Sequence, residues 1–265
     1  DKFFMSMLEN SRRIVVKVGT STLTHATGAL NIRRIGALVQ VLSDFKNAGK
    51  EIVLVSSGAV SAGVAKVGAA RPSTIAEKQA MAAIGQSELM RLYDQLFSLY
   101  GHTVAQILLT GEDVEAPIRA EHLRGTFGAL LEMKIIPVVN ENDSVSIEEL
   151  KFGGNDTLSA YVATVCESDL LINLTDIDGL YDSDPRKNPN AVMFEKMSLA
   201  EVVEKLEEYT QEVRLVFTLE KFDNLIKAGR MKPLVGKVVA ALGIHLIAQA
   251  SDIGTVELMF KVRGD

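Results

Sequence analysis

The feature that most constrains this chain is an alternation of short apolar runs with stretches of helical periodicity. The runs are "RIVVKV", "EIVLVSS", "TVAQILLT", "IIPVVNE", "DLLINLTD" and "IHLIAQ". Most are apolar at consecutive positions, as strands covered on both faces must be. Between them, Ile35, Leu38, Val39, Leu42 and Phe45 recur at helical spacing and stop before Gly49. Thr74 and Glu77 predict a capping box that opens a long helix ending near Gly101. A helix from about Thr157 to Val165 follows "GGND", and Ser198 with Glu201 announces another through "AEVVEKLEEY". Strands that alternate with helices in this way predict an α/β fold on a largely parallel sheet. No internal repeat or low-complexity linker divides the chain, so one domain with two lobes is the economical organisation.

Composition narrows the function classes. The chain has 265 residues, 47% hydrophobic and 23% charged, and can bury a substantial core. Its formal net charge of −6 supplies no basic field for nucleic acid or a membrane surface, so neither is expected as a partner. A single cysteine, Cys166, excludes an intramolecular disulfide and a cysteine-based zinc cluster. No apolar run reaches the roughly 18 residues of a membrane helix. A cytoplasmic location is the expectation.

In open α/β sheets ligands bind beyond the carboxyl ends of the strands, and four polar segments fall at such places. In "VVKVGTST", Lys17 precedes a turn in which the amides of Gly19, Thr20 and Ser21 would bind an anion; the alternative is a solvated lysine beside an ordinary turn. In "VSSGAVSAG", Gly58 and Gly63 permit close backbone approach and Ser57 offers a hydroxyl, or the segment is simply a tight strand-to-helix turn. In "PVVNENDSV" and "KFGGNDTLSA", Asn140, Glu141, Asn142 and Asp143 end a strand, and Asn155 and Asp156 precede a helix. Capping accounts for Asn155 or Asp156, but not for four successive polar residues, which suit a zwitterionic substrate. In "NLTDIDGLYDSDPRKNPNA", Thr175 and Asp176 end a strand, and Tyr181 is placed to pack on a base. The acidic spacing there does not match an EF-hand. His25, His102, His122 and His245 form no metal or triad spacing, and no residue is assigned to a metal. Lysines, hydroxyls, amides and carboxylates are the parts for phosphoryl transfer by positioning and charge stabilisation.

These segments, in this order, resemble the glutamate 5-kinase family of the amino-acid kinase superfamily over roughly residues 12–197. The resemblance implies a three-layer α/β/α sandwich with a mainly parallel central sheet. It implies one kinase domain over 1–265, with a substrate lobe at about 12–165 and a nucleotide lobe at about 166–265, and without the RNA-binding-like C-terminal extension many members carry. The implied reaction is ATP-dependent phosphorylation of the γ-carboxylate of L-glutamate with Mg²⁺, the first step of proline biosynthesis. Lys17, Asp156 and Lys232 would be catalytic. Ser57, Gly58, Asp143 and Asn155 would hold glutamate. Lys17, Gly19, Thr175, Asp176 and Lys232 would contact the nucleotide. Proline as feedback inhibitor and a homo-oligomeric state are also implied.

Two departures qualify the match. Gly154 stands where the family usually has aspartate. The family's glycine-rich "GTGGMxTK" loop is replaced by "LIKAGRMKPLVGKVVAALGI", in which Lys232 falls on the loop's lysine, or Lys237 if the register slips. The readings that compete with a glutamate kinase are a glutamate- or proline-binding regulatory protein and a sibling kinase for another small acid.

Overall fold

In the computed structural model, the described residues are 2–146, 155–177, 179–194, 197–198, 201, 216–219, 244–250 and 256–263. They fall into two compact units, Asp1–Asp178 and Gly179–Asp265.

The first unit runs α1 (Lys2–Asn10), β1 (Arg13–Val18), α2 (Thr20–Leu23), α3 (Ile32–Asn47), β2 (Glu51–Val55), α4 (Ala59–Val67), α5 (Ile75–Ser98), β3 (Val104–Leu109), α6 (Gly111–Glu115), α7 (Pro117–Glu132), β4 (Ile136–Glu141), α8 (Asn155–Val165) and β5 (Leu170–Leu174). Its five strands form one sheet in the order β3-β4-β2-β1-β5, with every pairing parallel. Five of the six runs expected as strands lie here.

The period of two along a strand builds the layers. Ile14, Val16 and Val18 of β1, Ile52 and Leu54 of β2, and Ile136 and Val138 of β4 pack into one core with Ile35, Val39 and Leu42 of α3 and Leu89, Tyr93 and Phe97 of α5. The intervening Val15, Val53, Val55 and Val139 pack on the other face with Phe127 and Leu131 of α7 and Leu158 and Val162 of α8. The unit is an α/β/α sandwich, as the resemblance implied.

Helix α5 opens with the expected capping box: Thr74 Oγ1 accepts from Glu77 N (3.2 Å), and Glu77 Oε2 accepts from Thr74 N (3.1 Å). Where it crosses α4 at Gly63 and Gly85 there is no room for a side chain. A Cβ at Gly63 would sit 1.9 Å from Met81 O, and one at Gly85 would sit 1.7 Å from Ala59 O. Gly63 therefore serves helix packing, where the sequence allowed it a role in approaching a ligand.

The second unit contains a β6–β7 pair (Leu180–Tyr181, Met193–Phe194) and an antiparallel sheet of β8 (Val216–Leu219), β9 (Ile244–Ala250) and β10 (Val256–Arg263) in the order β10-β9-β8. "IHLIAQ" is thus a strand, as expected, but not of the parallel sheet. Only residues 251–255 separate it from β10, a link short enough for a hairpin and far too short for a parallel crossover. Ser198 and Glu201 exchange the two bonds of the expected capping box (Glu201 N to Ser198 Oγ 3.3 Å, Ser198 N to Glu201 Oε2 2.7 Å). Lys232, Lys237 and Gly154 lie outside the described residues. Among the described residues no helix is long and apolar enough to cross a membrane.

Candidate active site

Because all five strands of the first unit are parallel, their carboxyl ends share one edge. Lys17 is the next-to-last residue of β1, one of the interior strands. Its odd position, shared with Val15, turns it to the α8 face. There its side chain, 8% exposed, donates through the ammonium to Asp156 Oδ1 at 2.7 Å. A buried ammonium needs such a partner, since leaving it unpaired is costly. Asp156 is asymmetric with it: its side chain is 62% exposed, so one end of the ion pair is buried and the other is open to ligand.

Asp156 comes from the first turn of α8. The helix begins at Asn155, two residues before the expected Thr157. Asn155 and Asp156 therefore belong to the N-terminal turn itself, where the helix dipole favours a carboxylate. Asn173 of β5 gives the same Oδ1 a second donor at 2.6 Å. The hydrogen bond from Lys17, aided by the one from Asn173, holds the Asp156 carboxyl below its ordinary range despite partial burial.

Beside this pair is a cavity of about 250 Å³ whose lining includes Thr20, Ser57, Gly58, Asn140, Glu141, Asp143 and Asn155. Its floor is a hydrogen-bonded cluster. Asn155 Nδ2 donates to Ser56 O (2.6 Å), Ser57 Oγ (2.7 Å) and Asn140 Oδ1 (3.1 Å). The Glu141 carboxylate is buried and accepts from Ser146 Oγ at 2.8 Å. Gly58 caps α4 at φ 88°, the left-handed region that favours glycine; a Cβ there would meet Thr20 only at an ordinary 3.6 Å. Conformation, not crowding, demands glycine at this position.

The structure brings together Lys17 and Asp156 as one cluster, and Ser57, Gly58, Asp143 and Asn155 around one cavity. Gly19 N donates to Leu174 O at 3.4 Å, continuing the β1–β5 ladder past the strand end. Thr175 and Asp176 follow β5, both exposed, and Thr175 Oγ1 donates to Asp176 Oδ1 at 3.3 Å. Sequence reasoning missed Asn173, Gln86 and Tyr93. Tyr93 OH bonds Ser56 Oγ at 2.9 Å, and burial pushes its phenol up to about 12. Strand parity would have found Asn173, which shares its face with Leu171, as Lys17 does with Val15.

A buried lysine and an aspartate paired at the strand ends of a parallel α/β/α sandwich are parts suited to phosphoryl transfer by positioning and charge stabilisation. The profile of the amino acid kinase family matches residues 12–244. A glutamate 5-kinase of Clostridium acetobutylicum is 52% identical over 192 residues, 72% of this chain and 72% of that protein. One from Carboxydothermus hydrogenoformans is 50% identical over 259 residues, 96% of this chain and 67% of that protein, which carries the likeness beyond residue 197. Among solved structures, a T. acidophilum isopentenyl phosphate kinase superposes with a TM-score of 0.51 at 18% identity, covering 74% of this chain and 83% of that one. A UMP kinase from Ureaplasma parvum gives 0.50 at 14% identity, covering 78% and 89%. At those identities the superpositions speak for the fold alone. The chain belongs to the amino acid kinase family and, within it, to the glutamate 5-kinases.

Proposed function

We propose that this kinase transfers the γ-phosphoryl group of ATP to the γ-carboxylate of L-glutamate, giving L-glutamyl 5-phosphate and ADP as the first step of proline biosynthesis. The observation that carries the reading is the buried side chain of Lys17, fixed by a solvent-facing Asp156, next to a polar cavity sized for an amino acid.

The chemistry needs little from the protein beyond charge and position. A glutamate side chain, with an ordinary pKa of about 4.3, is already ionised at neutral pH, so attack on phosphorus requires no general base. A carboxylate oxygen forms the new P–O bond while the bond to ADP breaks. Lys17 sits at the strand end where charge develops on the transferred group, and its burial makes that charge count for more than in water. Ser57, Gly58, Asp143 and Asn155 hold the amino acid, and Thr175 and Asp176 contact the nucleotide. Lys232 takes the second cationic role.

Mg²⁺ carried on ATP phosphates needs one or two protein carboxylates rather than a cage, and the exposed Asp156 carboxylate fits that need. When bound, the ion neutralises charge on the phosphates. We further infer a cytoplasmic homo-oligomer subject to inhibition by proline, on the resemblance alone.

Thermal unfolding with and without ligands tests the reading, since a ligand that binds only the folded state raises Tm with its concentration. An enzyme responds to both L-glutamate and Mg-ATP. A response to L-glutamate or proline without any to Mg-ATP would favour the regulatory binder. A response to Mg-ATP but to another small acid would favour a sibling kinase.

A further inference from the structure

A series of side-chain amides runs from the surface into the cavity. Asn155 Nδ2 donates to Asn140 Oδ1 (3.1 Å), Asn140 Nδ2 to Gln86 Oε1 (2.9 Å), and Gln86 Nε2 to Gln106 Oε1 (2.9 Å). Every amide donates outward. Each has one carbonyl acceptor and one NH₂ donor, so fixing the direction of one constrains the next. Strand parity explains the path: Asn140, in step with Ile136 and Val138, belongs to the α5 face, where Gln86 lies. The glycine contact at Gly63 and Gly85 seats α5 beside α4, and Gln86 is the residue after Gly85.

At the inner end, Asn155 Nδ2 is committed to Ser56 O, Ser57 Oγ and Asn140 Oδ1. Its Oδ1 is the polar atom left to offer the cavity. A carbonyl there accepts from a substrate ammonium, whereas a reversed amide would set a donor against that ammonium. Asn140 Oδ1 also accepts from Glu141 N at 3.0 Å, which favours the same direction, but its Nδ2 depends on Gln86.

We infer that Gln86, half-buried on α5 and outside the cavity lining, is a positioning residue that accepts from Asn140 Nδ2 and so holds the Asn140 carbonyl against Asn155 Nδ2, keeping in place an Asn155 amide whose direction, set also by the Ser56 carbonyl, presents Oδ1 to an amino-acid ammonium. This rests on the reading of the cavity as an amino-acid site.

Three substitutions separate this role from packing. Gln86→Leu removes the acceptor for Asn140 Nδ2, and Gln86→Lys replaces it with a donor. Gln86→Glu keeps it, because the exposed Gln106 is free to turn its own amide and donate. Full-chain protein is assayed for steady-state kinetics with Mg-ATP and for L-glutamate binding by calorimetry. For Gln86→Leu and Gln86→Lys, KM and Kd for L-glutamate rise roughly tenfold or more, the effect of stranding one buried polar group. The kcat and the KM for ATP shift by less than about twofold, because the lost interaction serves binding alike in ground and transition states. Gln86→Glu restores glutamate affinity to within about threefold of the parent protein. Leu and Glu variants that raise KM equally, or a kcat that falls as far as KM rises, would overturn the inference while leaving the kinase reading intact. A parent protein that neither binds nor turns over L-glutamate would overturn both.

Discussion

Lys17 and Asn173 stand opposite one another in the β1–β5 register and donate to the same oxygen, Oδ1 of Asp156, at 2.7 and 2.6 Å. Two neighbouring strands thus fix one carboxylate of a helix that packs over both. The arrangement holds Asp156 ionised and sets its second oxygen relative to the Lys17 ammonium. Asn173→Leu removes one donor while Lys17 remains. Hydrogen bonds to charged groups contribute about 1.5–3 kcal/mol, and the exposure of Asn173 places it at the low end, so kcat should fall about tenfold. The KM for L-glutamate should change little, since Asn173 does not line the cavity. Steady-state kinetics of the variant check both expectations.

The α4–α5 contact gives a sharper stability prediction. Gly85→Ala forces a methyl into Ala59 O and should destabilise the fold by about 3 kcal/mol or more, the range of severe overpacking. Gly36, in the interior of α3 with nothing within 4 Å of an added Cβ, is the opposite case. Gly36→Ala should stabilise by about 0.5–1 kcal/mol through helix propensity. Denaturant midpoints for the two variants should move in opposite directions.

Much of this was legible in the sequence. The consecutive apolar positions of "RIVVKV" and "IIPVVNE" predict strands covered on both sides, and each is enclosed by the two cores. Thr74 and Glu77 marked the start of α5 because a capping box is a local contact. Lys17, Ser57, Asp143, Asn155 and Asp156 could be grouped because strand ends of a parallel sheet converge. What stayed hidden depends on distant pairing. Nothing local in "IHLIAQ" says which strand it joins. Gly63 looked like a ligand-approach glycine until α5 supplied the backbone it meets. Gln86 and Tyr93, on a long helix, carry no local signal of a role, and only their partners Asn140 and Ser56 connect them to the site.

Glu88 gives the helix pair a pH signature. It bridges Arg91 of its own helix (2.5 Å) and Lys66 of α4 (2.6 Å), and the hydrogen bonds from Arg91 and then Lys66 pull its carboxyl down to about 2. A depressed carboxyl contributes stability that is complete above its unfolded value, near 4.5, and is lost as pH falls toward 2. Because both cations are well exposed, the contribution is under about 1 kcal/mol. The Tm difference between the parent and Glu88→Gln should be present at pH 7, shrink below 4.5 and vanish near 2.

Tyr93 acts at the other end of the scale. Its buried phenol titrates near 12, against 10 in the unfolded chain. The unfolded state therefore releases the proton first, and stability falls as pH rises from 10 through 12. Tyr93→Phe should cost about 1 kcal/mol at pH 7 through the lost bond to Ser56. It should also abolish the phenol's share of the alkaline loss, so the two unfolding curves converge above pH 10.

The most direct test of the central claim is hydroxamate formation from L-glutamate, Mg-ATP and hydroxylamine, comparing the parent with Lys17→Ala. Glutamate-dependent γ-glutamyl hydroxamate should form and should fall at least about a hundredfold in the variant, the scale of losing a preorganised charge at the transferred group. L-glutamate binding should persist, because Lys17 does not line the amino-acid cavity. Absence of hydroxamate from a parent protein that still binds L-glutamate would contradict the central claim, as would a Lys17→Ala variant that forms hydroxamate at the parental rate.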